Sequence, residues 1–90
     1  MKMKFLTTYR DIAGCRETEI PAPQNVKALL EALVSLYGDP MRKKLLDADG
    51  ELLEDAVLLV NGKHISLLSG IDTTLSDDDK VSLFSAVAAG

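Results

Sequence analysis

The chain has 90 residues, of which 47% are hydrophobic and 27% are charged, with a formal net charge of -4. This length supports one domain and excludes a second. The negative charge argues against nucleic acid or an anionic membrane surface as a partner, because a field of this sign repels phosphate groups.

Alternating side chains predict a first strand at residues 1–6. Its two sides carry Met3, Phe5 and Thr7 on one hand, and Lys2, Lys4 and Leu6 on the other. Residues 10–15 contain Gly14 and predict a turn, after which residues 16–20 predict the return strand of a hairpin. Pro21 and Pro23 then end the pairing, because proline has no backbone N–H to donate.

Asn25 is a typical N-cap for a helix that ends at Gly38. One face of this helix is apolar, through Val26, Leu29, Leu30, Leu33, Val34 and Tyr37. Asp39 and Pro40 predict the start of a second, shorter helical piece that runs to about Leu46. Residues 47–50 predict a turn.

Residues 56–60 are a nearly uninterrupted apolar run, which predicts a strand that is covered on both faces or at least central in its sheet. The dipeptide Asn61-Gly62 predicts a hairpin turn into a short strand at residues 64–67. After a loop at residues 69–79, alternation at residues 80–86 predicts the final strand.

These elements predict a two-layer α+β domain at residues 1–86, followed by a flexible C-terminal tail at residues 87–90. If Phe5 and Leu83 face the main helix, Leu6 and Phe84 must point to the other side of the sheet. A two-layer domain has nothing there to cover them. An exposed apolar patch of this kind often marks a partner surface.

The side chains that could carry chemistry are few. A nucleophilic pair of Cys15 and His64 would require the fold to bring them together, and a structural thiol at Cys15 is the simpler interpretation. His64 favours an exposed or interface position over a metal site, and residues 77–79 favour a solvated turn over a calcium loop. We therefore expect neither self-contained catalysis nor a bound metal or cofactor.

A cytoplasmic location is expected from the same sequence. Cys15 is the only cysteine and cannot close a disulfide within the chain, which favours a reducing compartment. The basic start resembles that of a signal peptide, but polar residues from Thr7 to Asp11 interrupt the apolar run that should follow. No apolar run approaches the roughly 20 residues of a membrane helix.

Four segments resemble the small subunit of molybdopterin synthase, a ubiquitin-like sulfur carrier of the β-grasp fold, over essentially the whole chain. They are residues 10–14 after the first strand, residues 60–62 with Val-Asn-Gly, residues 75–81 with their acidic turn, and residues 84–90 at the end. Ala89 stands where that family has glycine, and Ser85 and Ala86 stand where it has two prolines.

The resemblance implies a role for the tail. It implies that an ATP-using adenylating enzyme, related to those that activate ubiquitin, activates the carboxylate of Gly90, and that a sulfur donor then converts it to a thiocarboxylate. The large subunit of molybdopterin synthase would receive Val87, Ala88 and Ala89 in its active site and dock on Leu6, His64 and Phe84. Two large subunits would form the centre of a heterotetramer.

Other functions share these features. A carrier for thiamine or another pathway uses the same tail chemistry with a different sulfur acceptor. A protein modifier would be joined to lysines through Gly90, and a β-grasp binding module would have a chemically silent tail. An extra residue after Gly90 would disable a carrier or a modifier and leave a binding module unaffected.

Overall fold

The computed structural model describes residues 1–86. In chain order the elements are β1 (Lys2–Phe5), α1 (Thr8–Ala13), β2 (Glu17–Glu19), α2 (Val26–Tyr37), α3 (Asp39–Leu45), β3 (Ala56–Val60), β4 (Lys63–His64) and β5 (Lys80–Ser85). Two 3-10 turns, Ile65–Leu67 and Gly70–Asp72, lie between β4 and β5. The tail expected at residues 87–90 lies outside the described residues.

The strands form one mixed sheet in the order β2-β1-β5-β3-β4. Strand β5 is central, pairs parallel with β1 and pairs antiparallel with β3. Helix α2 covers one face of this sheet, and the short helix α3 contacts both α2 and α1. A mixed sheet around one main helix is the ubiquitin-like β-grasp arrangement, so the α+β fold expected from the sequence is confirmed.

Helix α2 begins and ends as the sequence predicts. The side-chain oxygen of Asn25 accepts a hydrogen bond from the Ala28 N–H at 2.9 Å, which satisfies one of the unpaired donors of the first turn. Gly38 ends the helix with a φ of 76°, a conformation that glycine adopts without steric cost. The apolar face of α2 then packs on the inner residues of β1 and β5, which include Phe5 and Leu83.

The predicted turn after the first strand is wrong, because residues 8–13 form helix α1. This helix buries Tyr9, whose hydroxyl donates to the carbonyl of Lys44 at 3.0 Å. Gly14 caps it in the left-handed conformation, with a φ of 75°. Strand β2 still pairs antiparallel with β1, so the predicted pairing is correct although its connection is helical.

The strand predicted at residues 64–67 is also largely wrong. Only Lys63 and His64 pair with β3, because the chain then turns inward to bury Ile65. Strand β3 itself alternates between buried and half-buried residues. It therefore lies inside the sheet, between β5 and β4, and is covered on one face only.

Candidate functional site

The face of the sheet opposite α2 carries an apolar surface beside the end of β5. It comprises Leu6, Val57, Leu59, His64 and Phe84, and we name it the outer patch. Phe84 lies directly across from Val57, and His64 across from Leu59. Leu6 extends the β1 ladder by donating its N–H to the carbonyl of Leu83 at 3.0 Å. The parity predicted for Leu6 and Phe84 is thus correct.

The outer patch is accessible, whereas the residues between its members are not. Leu6 is 36% exposed and Phe84 is half-buried, while Phe5 and Leu83 are both 0% exposed. A partner can therefore contact the patch without disturbing the core. Its role in binding is a prediction that the geometry permits.

His64 lies on the edge of this patch and is held by the backbone. Its Nδ1 accepts a hydrogen bond from the Ser66 N–H at 3.0 Å, which caps the 3-10 turn that follows. The ring is therefore oriented by its own loop, with Nε2 as the nitrogen left to meet a partner.

The end of β5 is held on both sides, immediately before the C-terminal segment. The Ser85 N–H donates to the hydroxyl of Thr7 at 3.0 Å, and the Ala86 N–H donates to the carbonyl of Asp55 at 2.8 Å. These two bonds hold Ser85 and Ala86 in place at the end of the described chain. We name them the exit clamp.

Thr7 is strained in this position. Its φ is 55°, which is a genuine outlier for a β-branched residue. Its hydroxyl donates to the carbonyl of Leu6 at 2.6 Å and accepts from Ser85, so it makes no capping bond to α1. Sequence reasoning missed Thr7, since the contact joins residues that are 78 positions apart.

The fold does not bring Cys15 and His64 together, which agrees with the expectation of a structural thiol at Cys15. Cys15 precedes β2 at one edge of the sheet, whereas His64 lies in β4 at the other edge. Cys15 is half-buried against the core. Burial, followed by the neighbouring Cys15, raises the pKa of Tyr37 above its ordinary value.

The acidic turn before β5 has a structural role. The Asp79 carboxylate accepts from the Asn61 side-chain amide and from the Ser76 N–H, each at 2.9 Å. These bonds, with that of Asn61 first, hold the pKa of Asp79 below its ordinary value. Within residues 1–86, no group of His, Cys, Asp or Glu side chains is arranged to hold a metal ion. None of the helices in this range is long and apolar enough to cross a membrane.

A β-grasp domain with an apolar outer patch, whose sequence continues after the last strand to a terminal glycine, is typical of ubiquitin-like proteins. Among these proteins, the chain belongs to the ThiS family, whose model matches residues 3–90. This is a family of ubiquitin-like sulfur carriers.

The chain is similar to proteins that are named as protein modifiers and to proteins that are named as sulfur carriers. The chain is 30% identical to Small archaeal modifier protein 3 of Haloferax volcanii, over all of this chain and 98% of the relative. It is 32% identical to a candidate sulfur carrier protein of Archaeoglobus fulgidus, over 82% of this chain and 84% of the relative. Among solved structures, it is similar to a candidate molybdopterin converting factor subunit 1 from Pyrococcus furiosus. That similarity has a TM-score of 0.75 and 27% identity, and it covers 96% of this chain and 95% of the other.

Proposed function

We propose that Gly90 of this sulfur carrier is adenylated and then converted to a thiocarboxylate, and that the chain is the small subunit of a molybdopterin synthase. The observation that carries the proposal is the family match, which reaches from residue 3 to residue 90 and so includes the glycine. The similarity to a candidate molybdopterin converting factor subunit supports this choice of acceptor.

The chemistry explains why a glycine carboxylate suits the task. A carboxylate is a poor electrophile until one of its oxygens becomes a good leaving group. Attack of the Gly90 carboxylate on the α-phosphate of ATP releases pyrophosphate and forms the acyl adenylate. Hydrosulfide from a sulfur donor then attacks the acyl carbon and expels AMP, and the resulting thiocarboxylate is a strong nucleophile toward a pterin precursor. Glycine leaves this carbon sterically open because it has no Cβ.

In this proposal the chain contributes a docking surface and a tail that enters the partner. Leu6, His64 and Phe84 of the outer patch would dock on the large subunit, and Val87, Ala88 and Ala89 would enter its active site. The exit clamp lies between these two contacts, because it holds Ser85 and Ala86. Fixing the strand end reduces the conformational entropy that is lost when the tail enters a partner.

A protein modifier is the second candidate. The full-length relationship to Small archaeal modifier protein 3 favours it. The activation step would be the same, but a lysine amine would displace AMP and leave an isopeptide bond at Gly90. A carrier for thiamine or another pathway would differ only in the sulfur acceptor.

The intact mass of the protein tests the first step, after incubation with ATP, its adenylating enzyme and a sulfur donor. We expect one oxygen at Gly90 to be replaced by sulfur, and a variant with one alanine appended after Gly90 to keep its mass. An unchanged mass, while a carrier with a double-glycine end is converted in parallel, would overturn the carrier role.

A second incubation separates the acceptors. The thiocarboxylated protein is mixed with the large subunit and the pterin precursor, and, separately, the unmodified protein is mixed with its adenylating enzyme, ATP and a cell extract. Loss of sulfur and formation of the dithiolene would establish the synthase subunit. Formation of isopeptide-linked adducts, without dithiolene, would establish the modifier.

A further inference from the structure

An apolar groove lies on the helix side of the domain, in the layer opposite the outer patch. Its floor consists of Leu30, Leu46, Leu52 and Ile71. Its rim carries Glu31, Asp49 and Glu51, with Lys27 as the cation among its lining residues. We name it the helix-side groove.

We propose that the helix-side groove is a second docking site, which binds a short protein segment with apolar side chains flanked by lysine or arginine. The apolar side chains would cover the groove floor, and the flanking cations would pair with the acidic rim. This site goes beyond the proposed function, since neither Gly90 nor the outer patch takes part in it.

The concentration of exposed apolar side chains supports a partner at this position. Among residues 1–86, five large hydrophobic side chains are exposed, and three of them lie within residues 67–71. Ile71 lines the groove and is 43% exposed; Leu67 and Leu68, which precede it in the chain and do not line the groove, are 76% and 39% exposed. Such a cluster leaves apolar area in water that a partner can remove.

The charge of the residues lining the groove favours a partner segment with basic side chains. The rim has three carboxylates against one ammonium group, so the local charge is negative. Complementary charge steers binding and excludes wrong partners, and an acidic segment would meet repulsion here. The protein therefore offers a basic, apolar segment the best fit.

The backbone of the turn that carries Asp49 and Glu51 is fixed by hydrogen bonds within the turn. The Asp47 carboxylate accepts hydrogen bonds from the N–H groups of Asp49 and Glu51, at 2.8 and 3.0 Å. The Asp47 N–H also donates to the Glu51 carbonyl at 2.8 Å. A fixed turn backbone lowers the entropy cost of binding.

The position of the groove permits binding at the same time as sulfur transfer. Lys27, Leu30 and Glu31 belong to the first half of α2, and this helix lies on the face of the sheet opposite Phe84. A large subunit on the outer patch would leave the groove open. A carrier docked at its tail could thus be recognised by another protein through its helix layer.

The test is an NMR titration of the isotope-labelled full chain with a synthetic hexapeptide, in which two central leucines are flanked on each side by lysine and arginine. We expect amide shifts at residues 27–31, 46–52 and 71, and none at Phe84. The control peptide has glutamate in place of all four basic residues and should produce no shifts.

Matched variants sharpen the titration. Glu31→Lys combined with Glu51→Lys should weaken binding about tenfold, whereas Lys27→Glu, which removes the rim cation, should strengthen it about threefold. Phe84→Asp should leave the affinity unchanged.

Three results would overturn the proposal while the spectra show a folded protein. These are the absence of shifts with the basic peptide, equal binding of the acidic peptide, and shifts centred on another surface. Concentration-dependent shifts at the groove without peptide would also overturn it, since they would assign the groove to a second copy of the chain. None of these outcomes depends on activation of Gly90.

Discussion

The hydroxyl oxygen of Thr7 accepts a hydrogen bond from the backbone N–H of Ser85 at 3.0 Å. This bond ties the loop after β1 to the last residue of β5, just before the segment that carries Gly90. The same hydroxyl donates to the Leu6 carbonyl, so both of its hydrogen-bonding functions are used. The strained backbone of Thr7 is consistent with a residue whose conformation is fixed by these contacts.

Replacing Thr7 by valine should loosen the exit clamp, since valine keeps the branched shape and lacks the hydroxyl. We expect the free energy of unfolding to fall by about 1 kcal/mol, because the partly buried Ser85 N–H loses its acceptor. Hydrogen exchange at the Ser85 amide should accelerate roughly fivefold. Thr7→Ser retains the hydroxyl and should keep this amide protected. Equal exchange rates in the two variants would show that the bond does not hold the strand end.

Features of this fold are predictable from sequence where they depend on residues that are close together in the chain. Helix α2 is predictable because its cap, Asn25, and its apolar residues are local signals. The parity of β5 is equally local, and alternation alone is enough to place Phe84 on the outer face of the sheet. The inclusion of Val57 and Leu59 in the outer patch requires the register of β3 against β5 and β4, which is not local.

The features that sequence reasoning misses depend on distant partners. Helix α1 has only six residues, and its buried Tyr9 is satisfied by a carbonyl 35 positions away. Thr7 has no distinguishing motif, and its acceptor role arises only when β5 lies beside β1. A positive φ at a threonine leaves no trace in the sequence, whereas Gly14 and Gly38 at helix ends do.

The substitution Phe84→Asp tests the outer patch as a docking surface. Phe84 points away from the core, so we expect the variant to fold and its affinity for the proposed large subunit to fall about thirtyfold or more, as for a central aromatic contact. Leu36→Asp is the matched control, because Leu36 is 59% exposed on α2 and should not contact the partner. Binding by calorimetry and circular dichroism of each variant are the measurements. Loss of folding in Phe84→Asp would place this ring in the core, and unchanged affinity would exclude it from the interface.

Substitutions at Asn61 should separate backbone strain from side-chain bonding in the turn after β3. Asn61 has a φ of 53°; its amide donates to Asp79, and its side-chain oxygen accepts from the Lys80 N–H at 3.0 Å. Asn61→Gly removes the side-chain bonds but adopts the positive φ without strain. The loss of these bonds should lower the unfolding free energy by about 1 kcal/mol. Asn61→Ala adds the strain of a left-handed alanine and should cost about 2 kcal/mol. Urea unfolding of the two variants is the measurement, and equal losses would mean that the turn stores no backbone strain.

The same turn should give the protein an acid-sensitive component of stability. The hydrogen bond from Asn61, followed by that from Ser76, lowers the pKa of Asp79 in the folded state. The stability that this carboxylate contributes is therefore present above the ordinary aspartate pKa and is lost as the pH falls through the lowered value. Urea unfolding of Asn61→Gly should show a weaker fall of stability in acid than the unmodified protein. An identical acid profile would mean that Asp79 is not stabilised through Asn61.

Tyr9 should make the protein less stable at alkaline pH. Burial, followed by the charge of Asp55, raises the pKa of Tyr9 to about 12 from the ordinary value of 10.0. The unfolded chain therefore loses this proton first. The stability that the Tyr9 hydroxyl contributes is fully present below the ordinary value and is lost as the pH rises toward the folded pKa. A shift of this size corresponds to about 2 to 3 kcal/mol of unfolding free energy. Tyr9→Phe should be about 1 kcal/mol less stable near neutral pH, because the bond to the Lys44 carbonyl is gone. As the pH rises, the unfolding free energy of this variant should fall less than that of the unmodified protein. A smaller fall should remain, because burial also raises the pKa of Tyr37. Urea unfolding of both proteins across this range is the measurement, with Tyr37→Phe as the control for that smaller fall. Parallel curves for Tyr9→Phe and the unmodified protein would show that Tyr9 titrates in the folded state as it does in the unfolded chain.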